Sequence, residues 1–88
     1  MKSPRDAHEM VRRSAAPRRW GIRANYLDRC RQCHDQLHRD NMPLVVQLAH
    51  KLIEDPDNFD LDAINEISGQ APIAMSNVMK YVRILLGA

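Results

Sequence analysis

The clearest periodicity lies in the second half of the chain. Leu44, Val45, Leu48, Ala49 and Leu52 recur at helical spacing. Gln47, His50, Lys51 and Glu54 read as the opposite, solvent-facing side of that helix. Pro43, two residues after Asn41, suits its first turn. Asp55-Pro56-Asp57-Asn58 then breaks the chain. Asp60 is placed as the N-cap of a second helix, with Phe59 and Ile64 as its hydrophobic staple and Ser68-Gly69 as its end. Pro72 opens a third helix whose Ile73, Val78, Val82 and Leu85 face inward, and Gly87 stops it. The first half is less regular. Residues 1–5 read as a frayed start, Asp6 to Val11 as a short strand, and Ser14 to Ala24, with Pro17 and Gly21, as a loop. Asn25 to Leu27 would be a second strand and Arg31 to Arg39 a short helix. The class expected is therefore α+β in one domain over residues 1–88, with a core at 5–40 and a helical cap at 41–88.

Charge divides the chain at nearly the same place. Residues 1–39 hold ten Lys/Arg against four acids, a balance of +6. Residues 40–88 hold three against seven, a balance of −4. Nine of the ten cations in the basic half are arginine, whose planar fork matches phosphate. Arg12, Arg13, Arg18, Arg19 and Arg23 are the candidate phosphate contacts, which makes DNA the expected partner. Trp20 lies among them and is expected to pack the loop rather than stack on a base. At 44% apolar residues, the composition is that of a folded chain. No apolar run suits a signal peptide or a membrane span, so a cytoplasmic location and no membrane partner are expected.

The basic half also holds the residues able to do chemistry. His34 and His38 are four apart and share one face of a helix. Two imidazoles there, with His8 from the preceding strand, would make a three-histidine site with open positions. All-nitrogen ligation suits zinc, nickel, cobalt or manganese better than magnesium. A divalent ion can stabilise the charge that builds when a phosphodiester is attacked. Cys30-x-x-Cys33 in a reducing compartment reads as metal-binding or redox-active rather than as a disulfide. His50 is read as solvated.

His8-Glu9-Met10-Val11-Arg12-Arg13, then Asn25-Tyr26-Leu27, then Cys30 to His38, resembles the HNH family of metal-dependent endonucleases over residues 5–40. The spacing from Asn25 to His34 to His38 is similar to that of the colicin-type branch, and the second half is reminiscent of small phage-encoded members. The resemblance implies a ββα-metal core and metal-dependent cleavage of DNA. It implies His8, His34 and His38 as ligands, Glu9 as the general base where many members have histidine, and Asn25 as the residue that bridges backbone between the strands. An arginine near the scissile phosphate would be Arg12 or Arg13. A second register makes Asp6 the ligand and His8 the base. Cys30 and Cys33 match one cysteine knuckle of a structural zinc, and no cysteine precedes residue 30 to supply the other.

Three rivals remain. A non-catalytic DNA-binding domain of the same fold would share the basic loop. Cys30-x-x-Cys33-His34 also spells a c-type haem attachment, which normally follows export. Leu61 to Leu86 could form a helix-turn-helix presenting Ser76, Asn77, Lys80 and Arg83, against which the −4 balance argues.

Overall fold

The computed structural model describes residues 5–11, 21–30 and 42–87. Within them the chain is a small α+β fold: one antiparallel pair of strands and three helices. Strand β1 is Arg5–Glu9 and strand β2 is Tyr26–Cys30. Their register pairs Ala7 with Asp28, His8 with Leu27 and Glu9 with Tyr26. Helix α1 is Leu44–Glu54, α2 is Leu61–Ser68 and α3 is Met75–Leu85. Short 3-10 turns lie at Arg23–Asn25 and Pro56–Asn58.

Both strands sit differently from the expected 6–11 and 25–27. β1 ends at Glu9 because the next two residues are drawn off the ladder. Met10 N–H donates to Asn25 C=O (2.9 Å), and Val11 N–H donates to the Asn25 side chain instead of to a strand. Asn25 lies in the 3-10 turn, its N–H donating to Ile22 C=O (2.9 Å), and β2 starts one residue later. The expected helix at 31–39 lies outside the described residues.

The helical half follows the hydrophobic pattern. Leu48 and Ala49 of α1, Ile64 and Ile67 of α2, and Val78 and Val82 of α3 are buried together with Met10, Val11, Ala24 and Leu27. Leu44, Val45, Leu52, Phe59 and Ile73 pack against this cluster. α1 runs along α3 and also meets β2. Burying one such aliphatic side chain is worth about 1.5–3 kcal/mol. Asp60 caps α2, its carboxylate accepting from Ala63 N–H at 3.1 Å, and Gly69 ends the helix at φ 64°, a conformation that costs glycine little.

Two expectations for the last helix are corrected. It begins at Met75, not at Pro72. The cause is Asn65, whose Oδ1 accepts from Ile73 N–H (2.9 Å) while its Nδ2 donates to Ile73 C=O (3.0 Å). Both polar groups of Ile73 are thereby held by α2, and the helix starts beyond them. Leu85 does not face inward. It is 40% exposed, whereas Val78 and Val82 of the same helix are buried.

Candidate functional site

The hairpin concentrates polar side chains that are out of reach of solvent. Asn25 is fully buried. Its Oδ1 accepts from Val11 N–H at 2.8 Å, and its Nδ2 donates to Val11 C=O at 3.0 Å. A side-chain amide has one acceptor end and one donor end, so it satisfies a peptide group as a neighbouring strand would. Asn25 therefore bridges from the turn before β2 to the backbone of Val11 beyond the end of β1. Leaving either buried Val11 group unpaired would cost about 1–3 kcal/mol.

His8 is 6% exposed and shares a face of the hairpin with Leu27, opposite which it sits. Its Nε2 lies 2.7 Å from Gln47 Oε1 on α1, and its Nδ1 is also buried. Gln47 Nε2 in turn donates to Met42 C=O at 2.8 Å. Glu9 follows His8 and so points to the other face of β1, where it pairs with Tyr26. It is half-buried there.

One turn along α1, Lys51 is only 2% exposed. Its ammonium donates to Tyr26 C=O (2.6 Å) and to Asp55 Oδ2 (2.9 Å). Asp55 also accepts from Asn58 Nδ2 at 2.9 Å. The Lys51 hydrogen bond first, then that of Asn58, holds the Asp55 carboxyl below its ordinary 3.8, while loss of solvent pushes the other way. Arg23, exposed in the 3-10 turn, adds a small share to the same lowering. Gln47 and Lys51 thus overturn the assignment of that helix side to solvent. The strip is buried because it faces the hairpin, and its polar ends meet polar hairpin atoms. Periodicity within α1 carries no trace of those partners. His50 and Glu54, from the same expected side, are less buried and lie 3.7 Å apart, Nδ1 to Oε2.

A cleft of about 250 Å³ opens beside Lys51, lined by Tyr26, Leu27, Asp28, Glu54 and Asp55. Three carboxylates make it a poor seat for phosphate. The expected phosphate contacts Arg12, Arg13, Arg18 and Arg19 fall between positions 12 and 20 of the sequence. Those four arginines, with Trp20, Cys33, His34 and His38, lie outside the described residues. Cys30 is the last residue of β2. Among the described residues no three His, Cys, Asp or Glu side chains come together as a metal site. Of the three expected histidine ligands only His8 is among the described residues. Its Nε2 is engaged by Gln47. Also among the described residues, no helix is long and apolar enough to cross a membrane.

Comparison with family models, with curated proteins and with solved structures finds no match.

Proposed function

We propose that the chain binds DNA along its phosphate backbone and, with a divalent ion, hydrolyses phosphodiester bonds in the manner of an HNH-type endonuclease built on a ββα-metal core. The observation that carries this reading is the Asn25 clamp. It fixes Val11, three residues beyond His8, to the last residue of the turn before β2. Val11 and Asn25, which bracket the arginine-bearing stretch in sequence, are thereby joined. Arg12 and Arg13 follow Val11 directly in sequence, so the basic stretch begins at the residue that Asn25 holds.

In this reading His8 holds the ion through Nδ1 together with His34 and His38. A bound ion supplies electrostatic stabilisation to the attacked phosphate and the leaving oxygen. Arg12, Arg13, Arg18 and Arg19 neutralise backbone phosphates, which fixes position without reading sequence. Arg23, exposed in the turn before β2, is a further contact of the same kind. Asn25 positions the loop. Glu9 would take the proton from the attacking water.

One observation favours a second reading, a non-catalytic DNA-binding domain of the same fold. Glu9 and His8 lie on opposite faces of β1, and a base must reach the water on the ion that His8 holds. Plasmid nicking with zinc, nickel, cobalt, manganese or magnesium, run beside His8→Ala, separates the two. Metal-dependent nicking that His8→Ala abolishes supports the nuclease. Salt-dependent duplex binding with no nicking under any metal establishes the binder. Absence of duplex binding at low salt removes both, because phosphate contact supplies nearly all non-specific affinity.

A further inference from the structure

We propose that Gln47 is the positioning residue for His8, holding its neutral ring as the Nε2–H tautomer so that Nδ1 is the electron-pair donor. The use of that donor rests on the reading above; the tautomer itself does not.

The argument runs inward from the backbone. Met42 C=O can only accept, so the Gln47 atom that faces it at 2.8 Å is the NH₂ group. This fixes the amide's orientation without reference to the histidine. Oε1 must then face His8, and an amide oxygen can only accept. The partner nitrogen at 2.7 Å, Nε2, must therefore carry the proton. A neutral imidazole has one protonated nitrogen, which leaves the lone pair on Nδ1. The chain Met42 C=O, Gln47, His8 thus selects one of two tautomers from a carbonyl 34 residues away in sequence.

The relay also fixes the ring's orientation. Gln47 is held by α1 and by Met42, His8 by its ladder pairing with Leu27. A histidine that ligates a metal commonly donates its other N–H to such an acceptor, and losing that acceptor costs about 10–100-fold in metal affinity or activity. Neither the hydrophobic pattern nor the HNH-like spacing points to Gln47, since it lies outside residues 5–40 and on the helix side read as polar.

Nitrogen-15 NMR of the full chain, with its ring neutral, tests this without metal or DNA. The expected spectrum shows one-bond N–H coupling at His8 Nε2 and a pyridine-type shift at Nδ1. Gln47→Met, which keeps the bulk and removes the acceptor, should give a mixture of tautomers. A wild-type ring protonated at Nδ1 overturns the proposal, and that result needs no variant to fold. A folded Gln47→Met with the wild-type tautomer overturns it as well. The companion measurement is calorimetric titration with zinc or manganese alone. Binding weakened about 10–100-fold in Gln47→Met supports the positioning role, and unchanged affinity overturns it. A wild type that binds neither ion defeats the proposed function, while the spectrum still decides the tautomer.

Discussion

Helix α1 is held by different chemistry on its two sides. Towards α3 it contributes Leu48 and Ala49 to an apolar cluster with Val78 and Val82, a cluster that also takes in Met10, Val11, Ala24 and Leu27. Towards the hairpin it contributes Gln47 and Lys51, which bond His8 and the Tyr26 carbonyl. Apolar contact is non-directional and scales with buried area, so many shapes of similar volume satisfy it. A hydrogen bond demands a specific atom at a specific place, and a buried group that misses its partner costs more than the bond was worth. The helical side can therefore absorb substitution by repacking. The hairpin side cannot, and its register is correspondingly well defined.

Paired substitutions at constant volume break this comparison most sharply. Asn25→Leu keeps the size of the side chain and abandons both Val11 groups, at about 1–3 kcal/mol for each group left unpaired. Ile64→Leu, equally buried, should cost less than about 1.5 kcal/mol. Urea unfolding of both variants reads the difference. Similar losses would show that the hairpin is no more directional than the core.

Lys51→Met is the next largest effect. It keeps the buried stem and removes the donor to Tyr26 C=O, at about 1–3 kcal/mol by the same measurement. A change near zero would place Lys51 on the apolar side of the comparison despite its ammonium.

The smallest effect is the pH response of Asp55. Its folded carboxyl titrates below the ordinary 3.8, so the ionised form is favoured in the folded chain. The associated stability is present above the ordinary value and is lost as pH falls through the lower folded one. Unfolding midpoints between pH 5 and pH 2 should show a shallower acid decline for Asp55→Asn than for the wild type. Parallel declines would detach Asp55 from Lys51.

The two sides also differ in how far they could be read in advance. The stripe of α1, the Asp60 cap and the Gly69 stop are local signals and stand where the pattern puts them. Asn25 was legible as a backbone bridge, since asparagine mimics a peptide group. Gln47 and Lys51 were not, because a polar residue on a helix reads as solvated unless its partner is known. Those partners lie 39 and 25 residues away. The start of α3 was missed for the same reason, as Asn65 claims Ile73 from eight residues off.

The Gln47–His8 contact has a consequence for the order of folding. Its 39-residue separation means that most of the first half of the chain must be closed into a loop before the bond forms. Loop closure costs entropy that is recovered only when the distant groups meet. Contacts inside the helical half close shorter loops and can accumulate first. The hairpin would then dock onto a helix already formed, and an interaction that forms after the transition state governs how fast the chain comes apart rather than how fast it assembles.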